Sequence, residues 1–379
     1  MGRIIPKTDG PMKNVLIHTM HRGNNYGSAL QTYALSEKIK EFGYKPVILD
    51  YIPDRINDKA NIRKMLCQLF GANALSIKHE ALRGLLITIT SYKIYNSFFK
   101  SNLTLTKKYH GLNELKKNYP IADIYMTGSD QVWNSYHNQG IDDIFYLKYA
   151  PDKKRKVAYA ASFGKDRLDE WEVEPTKRLL KRYDAISVRE SSGMGILKSI
   201  GIDNAKWVLD PTFLLTADDW RKRVTHHNEK EKYVLIYSVE PDKQSVIRVA
   251  RTIADSIGAK VYMVEWGRKP YPGVDKMLGL VDPLMLIDYF DRTEFVVASS
   301  FHGTALALNL NKPFVSLAPA RFNSRVKSIL QLVGLEKRLI SPAEFSLHEA
   351  LNAIDYNNVN SKLSDAREES IKYLKRVLS

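Results

Sequence analysis

Short apolar runs that stop at polar, glycine-bearing turns recur along this chain. Between them, apolar residues return every three or four positions. Val15-Leu16-Ile17 stops at "HTMHRGNNYG", and Ala29, Leu30, Tyr33, Ala34 and Ile39 then keep the period of a helix. Gly43 closes that helix and Pro46-Val47-Ile48-Leu49-Asp50 is the next strand, so the chain opens as β-α-β. The pattern resumes at Ala122–Met126 before "TGSDQVWN", at Lys156–Ala160 before "ASFG", at Ala185–Val188 before "RESSG" and at Trp207–Leu209 before "DPTFLL". Every one of these strands ends in polar residues, on the edge where open α/β sheets bind ligands. The class is α/β.

Asp210-Pro211 and the polar stretch Arg221–Lys232 form a hinge to a second set of elements. There Tyr233–Tyr237 is a strand, Lys243–Ile257 a helix, and Lys260–Val264 another strand. Asp282-Pro283 starts a helix through Leu284, Ile287 and Phe290, and Phe295–Ala298 runs into "SSFHGTALALNLNKPF". A chain of 379 residues is too long for one ordinary core. The expected division is an N-terminal α/β domain over 12–212, with a basic helical insertion at 59–118, and a C-terminal α/β domain over 213–345. The charged helical segment 346–379 is expected to pack back across them.

Composition narrows the partners. With 44% apolar and 26% charged residues the chain is globular. Residues Met1–Gly10 lack the apolar core of a signal peptide, and the one cysteine, Cys67, excludes an internal disulfide, so a cytoplasmic protein is expected. The net charge of +15 implies an anionic partner. No zinc-finger, basic-zipper or RNP-like pattern points to nucleic acid. Between 59 and 108, Lys59, Arg63, Lys64, Lys78, Arg83, Lys93, Lys100, Lys107 and Lys108 stand against the one acid Glu80. This segment either covers the sheet or rests peripherally on an anionic membrane surface.

Several turn residues could carry chemistry. Gly23–Ser28 lacks the spacing G-x-G-x-x-G, so no nicotinamide cofactor is expected. Asn24, Asn25 and Tyr26 suit the close approach of a sugar or phosphate, or else form a tight turn and helix cap. Asp130, beside Ser129 in "GSDQVWN", is the best acid for deprotonating a hydroxyl, with a helix cap as the alternative. Trp133 either stacks on a sugar face or packs in the core. Arg189 follows an apolar strand, which would bring its guanidinium out at the ligand edge unless Glu190 or another loop acid claims it. His302, with Ser300, Gly303 and Thr304, sits at a strand-to-helix turn that either caps the helix or cradles an anion. Arg321 and Arg325 in "PARFNSRVKSIL" could clamp a carboxylate or phosphate, or be surface arginines. No cluster of carboxylates or histidines suggests a metal.

Taken together, "HRGNNYGSALQTYAL", "TGSDQVWN", "YAASFG", "ISVRE", "VLDPTFLL" and "SSFHGTALALNLNKPF" resemble the polysaccharide pyruvyl transferase family, in the family's order from residue 15 to about 335. The resemblance implies two Rossmann-like domains facing a cleft, in the glycosyltransferase-B manner. It implies transfer of the enolpyruvyl unit of phosphoenolpyruvate to a sugar as a pyruvate ketal, with phosphate released and no cofactor. The implied acceptor is a cell-surface polysaccharide or its lipid-linked oligosaccharide precursor, met at the inner membrane face. It favours a ligand role for His302, as phosphate donor or general acid. One departure stands out. Several members have an arginine two residues before the histidine, where this chain has Ser300, so Arg321, Arg325 or Lys312 would have to supply the cation. Two other functions fit the pattern: a glycosyltransferase-B enzyme using a nucleotide sugar, with Glu265 at the ribose, and a non-catalytic anion-binding module.

Overall fold

A computed structural model describes residues 12–53, 75–265, 271–318 and 324–379, without the side chains of 75–81 and 83. Arg321, Lys59, Arg63, Lys64 and Cys67 therefore lie outside the described residues or side chains. The chain divides into two compact units: unit 1 comprises Met1–Ile56, Phe99–Leu214 and Ser364–Ser379, and unit 2 comprises Asn57–Phe98 and Leu215–Leu363. The stretch from Asn57 to Phe98, grouped by sequence with the N-terminal domain, falls in unit 2, and Ser364–Ser379 falls in unit 1.

In unit 1 the parallel strands β1 (Asn14–His18), β2 (Lys45–Ile48), β3 (Ile124–Thr127) and β4 (Arg155–Ala158) lie in the order β2-β1-β3-β4. β1 pairs with β2 from Asn14↔Lys45 to Ile17↔Ile48 and with β3 from Val15↔Ile124 to His18↔Thr127. The short pair β5 (Ser187–Val188) and β6 (Lys206–Trp207) continues beyond β4 through the bridges Val157↔Ala185 and Ala161↔Val188. Strands buried on both faces read as unbroken apolar runs, and β1 and β3 are buried along almost their whole length. Helix α1 (Tyr26–Glu41) is buried over most of its circumference, which its near-continuous run of small and apolar residues allows. Helix α2 (Leu75–Asn102) begins in unit 2 and ends in unit 1. The core gathers Leu16, Leu49, Tyr125, Trp133, Tyr146 and Phe163.

Unit 2 holds a six-stranded parallel sheet. Its strands are β7 (Tyr233–Tyr237), β8 (Lys260–Met263), β9 (Lys276–Met277), β10 (Phe295–Ala298), β11 (Phe314–Leu317) and β12 (Leu339–Ile340), in the order β12-β11-β10-β7-β8-β9. Helices α3 (Lys243–Ile257), α4 (Pro283–Arg292), α5 (Phe301–Asn309) and α6 (Ser324–Val333) connect them. The face of α3 that packs on the sheet carries Val246, Ile247, Ala250, Ile253 and Ala254, in contact with Val234, Ile236, Val297 and Val315. The last helix, α7 (Tyr356–Leu378), starts in unit 2 and ends in unit 1. Among the described residues no helix is long and apolar enough to cross a membrane.

Strand order fixes where each unit can bind. In unit 1 the chain crosses from one side of β1 to the other between β2 and β3, and in unit 2 from one side of β7 to the other between β9 and β10. A crevice opens outside the carboxyl ends at such reversals. In unit 1 the loops leaving β1 and β3 meet there, and in unit 2 those leaving β7 and β10.

Candidate functional site

At the reversal in unit 1 the two loops touch closely. A Cβ on Gly128 would lie 2.9 Å from Thr19 Cβ, so only glycine fits. Thr19 Oγ1 donates to Ser129 O at 2.7 Å and receives Gln31 Nε2 at 2.9 Å, which ties α1 to the end of β3. Asp130 follows with φ +77°, a conformation that costs a non-glycine residue about 1–3 kcal/mol and concentrates at functional positions. Its Oδ2 accepts from Ser28 Oγ at 2.5 Å; its Oδ1 accepts from Gln131 N at 2.8 Å and Arg189 Nη2 at 3.1 Å. Each of these three groups donates, as partners of an ionised carboxylate do.

Arg189 is where the sequence expectation needs correcting. Its side chain is fully buried, with Nη1 2.7 Å from Asp210 Oδ2 and Nε 4.0 Å from Glu190 Oε2. Burial alone would lower the guanidinium's pKa, but Asp130, Asp210 and Glu190 outweigh it and hold the charge firmly. A cation already matched by these carboxylates has no charge to spare for a substrate anion. The partner is chiefly Asp210, which sequence reasoning passed over although it heads the quoted "DPTFLL". Asp210 Oδ2 also accepts Ser129 Oγ at 2.9 Å, and its Oδ1 caps the turn Pro211–Phe213 through Thr212 N at 3.0 Å.

The remaining unit 1 candidates divide. Asn25 caps α1 by accepting Ser28 N at 3.1 Å. Asn24 holds a left-handed φ of +46° at the turn before it, and Tyr26 is buried. Trp133 is corrected outright. It is 2% exposed, stacked on Tyr146 at 5.6 Å and set against Phe163 at 5.2 Å, so it belongs to the core and offers no face to a sugar.

A cluster that sequence reasoning missed lies beyond β2. Arg22 grips Asp50 with both ends of its fork, Nε to Oδ1 at 2.7 Å and Nη2 to Oδ2 at 2.6 Å, and His21 Nε2 stands 3.5 Å from Oδ1. Burial raises the Asp50 carboxyl, yet the His21 and Arg22 contacts win and hold it well below the usual range. The detectable signal was an acid ending the apolar run "PVILD".

At the reversal in unit 2, Ser299 Oγ meets Ser238 Oγ at 2.8 Å and accepts Val239 N at 3.0 Å, joining the ends of β10 and β7. Ser300 is the N-cap of α5, its Oγ accepting Gly303 N at 3.2 Å. Thr304 turns inward, bonded to Ser300 O at 3.0 Å and to Ser316 Oγ. At Gly303 a Cβ would lie 2.8 Å from Tyr237 Cδ1 and 3.0 Å from Ala298 Cβ, so the glycine seats the helix on the strand ends. The expected cradle of Ser300, Gly303 and Thr304 is therefore capping and packing. His302 lies in the first turn of α5, 8% exposed, its ring 5.2 Å from that of Phe301. Arg325, in the first turn of α6, places its guanidinium carbon 5.9 Å from the Phe301 ring, next to the histidine in sequence. Lys312 lies before β11 at the opposite edge, its Nζ on Asp291 O at 2.8 Å, and so does not replace the missing arginine. Glu265 pairs with Lys243 at 3.3 Å. Among the described residues no group of three potential ligands could hold a metal ion.

The family model described as Polysaccharide pyruvyl transferase matches residues 25–321. No curated protein matches. Solved structures share the fold. Arabidopsis thaliana UGT89C1 complexed with UDP-L-rhamnose is 6% identical with a TM-score of 0.54, over 96% of this chain and 98% of that one. The S. aureus MnaA–UDP co-structure is 11% identical with a TM-score of 0.53, over 97% of each chain. A putative UDP-N-acetylglucosamine 2-epimerase from Listeria monocytogenes is 10% identical with a TM-score of 0.52, over 94% of this chain and 92% of that one. Identities this low establish a shared two-domain, Rossmann-like architecture of the glycosyltransferase-B type and nothing about substrates.

Proposed function

The chain belongs to the polysaccharide pyruvyl transferase family, and from that premise we propose that it transfers the enolpyruvyl unit of phosphoenolpyruvate to a saccharide. The acceptor is a cell-surface polysaccharide or its lipid-linked precursor. Protonation of the donor's methylene carbon makes C2 electrophilic, and a sugar hydroxyl attacks it. The C2–O bond to phosphate breaks, and a second hydroxyl closes the ketal. One hydroxyl proton is thereby balanced by the new methyl group and the other by released phosphate. His302 and Arg325 in unit 2 serve the donor, the histidine as acid or phosphate donor and the arginine as its cation. Asp130 takes the acceptor proton, a role supported by its strained, left-handed backbone after β3. No cofactor is assigned.

The single observation that carries this reading is the family match across most of the chain. The nucleotide-sugar alternative rests on fold likeness alone, and the Glu265–Lys243 pair leaves that acid engaged. Thermal-shift titration separates the two. A ligand at 100-fold over its Kd adds about 2.7 kcal/mol to native stability, so phosphoenolpyruvate should raise the melting temperature and nucleotide sugars should not. The reverse result overturns the proposal. His302→Ala and Asp130→Asn should each slow phosphate release by roughly 10²–10⁴-fold. Activity within a few-fold of wild type would make either residue merely structural.

A further inference from the structure

Helix α2 presents a face that nothing in the described chain covers. Leu82, Leu86 and Ile89 are 47%, 56% and 39% exposed, with Tyr92 alongside at 40%. At 3.6 residues per turn, Leu82, Leu86, Ile89, Lys93 and Lys100 fall within about 60° of one line along the helix. Ser91, Tyr95 and Phe98, all almost fully buried, occupy the opposite side. The helix therefore docks on its protein through one face and offers a second apolar stripe outward, continued by the exposed Lys93 and Lys100. An apolar stripe of this size on an exposed helix marks an interaction surface.

We propose that this face of α2 lies on a bilayer surface carrying anionic phospholipid. Charge selects that occupant. The helix sequence carries Lys78, Arg83, Lys93 and Lys100 against Glu80, and no acid occurs from residue 81 to 102. A second copy of the chain docked here would set like cations against one another, because a two-fold contact brings the same patch to both sides. An anionic headgroup layer meets the lysines while the aliphatic stripe enters the acyl boundary, the arrangement of helices that lie in an interface. The helix rests on the surface; it does not span the bilayer. The proposal is independent of the pyruvyl-transfer chemistry.

The test is co-sedimentation of the full chain with vesicles of phosphatidylcholine, alone or mixed with phosphatidylglycerol. Wild type should pellet with the anionic vesicles, less so as salt is raised. The double variant Leu86→Ser, Ile89→Ser should reduce the bound fraction constant by about ten-fold or more, since two aliphatic side chains no longer enter the acyl layer. Lys93→Glu with Lys100→Glu should abolish the preference for anionic over neutral vesicles. These side chains are exposed, so both variants should melt as wild type does and release phosphate normally with a water-dispersed acceptor. Failure to pellet, or pelleting that both variants leave unchanged, overturns the proposal. So does a concentration-dependent dimer that Leu86→Ser disperses, because a second copy would then cover the face.

Discussion

Take away the Arg189 guanidinium and the buried Asp130 and Asp210 lose the cation they share, keeping hydroxyl and amide donors from Ser28, Ser129, Gln131 and Thr212. Breaking a buried pair by removing one partner costs about 3–5 kcal/mol, because the other charge is left uncompensated. Arg189→Met should therefore lower stability by that amount in chemical denaturation, and Arg189→Lys should recover only part of it. A single ammonium cannot reproduce a fork that reaches Asp210 through one nitrogen and Asp130 through another. A loss below about 1 kcal/mol, the range of surface pairs, would mean the cluster is hydrated and not buried. Asp50 supplies a pH signature. Its folded pKa lies below the ordinary value of 3.8, so its contribution is fully present above that value and is lost as pH falls through the folded pKa. Melting temperature should drop on acidification below about pH 4, and Arg22→Met should flatten that part of the profile. An identical acid limb in the variant would show that the pair contributes nothing.

Elements obey tighter packing rules than single residues do. Seating α5 on β7 and β10 depends on Gly303, and Gly303→Ala would press a methyl group into Tyr237 and Ala298. Overpacking of this kind costs about 1–3 kcal/mol, so the variant should melt lower even with its N-cap at Ser300 intact. An unchanged melting temperature would show that the Tyr237 ring yields freely. At this same scale the sequence was most legible. The runs around Val15, Val47, Tyr125, Val157, Tyr233, Val261, Val296 and Val315 are strands, and the helix expected over Lys243–Ile257 has those same ends. β9 and β12 went unread because two-residue edge strands carry no period. Side-chain direction was the harder problem. A strand end brings Arg189 to the right edge without revealing that it points inward at Asp210, a residue 21 positions away. Likewise Trp133 follows a polar turn, yet its ring is held by Tyr146 and Phe163, which only the folded chain brings together.

Across the whole molecule, both units place their chemistry-bearing turns by the same device, a strand order that reverses beside the first strand of the sheet. What differs is how each unit is completed. Unit 1 receives its last segment from α7. There Ser370 Oγ accepts Leu209 N at 2.9 Å, Tyr373 Oη donates to Ala158 O at 2.9 Å, and Arg367 Nε reaches Phe213 O at 2.6 Å. A chain cut after Leu363 should lose the unfolding transition of unit 1 in calorimetry and keep that of unit 2. Two intact transitions would show that these contacts are dispensable.

The same helix sets a clock on synthesis. Translation proceeds at about 5–20 residues per second, and Leu209, the neighbour of Asp210, is made well before Ser370. Its amide waits for that hydroxyl while Leu215–Leu363, the larger part of unit 2, is built. A ribosome stalled before Arg367 would thus leave Leu209 N and Phe213 O without these bonds. The turns of α7 from Arg367 to Tyr373 tie a late-made segment to the loop that begins at Asp210 and to the end of β4.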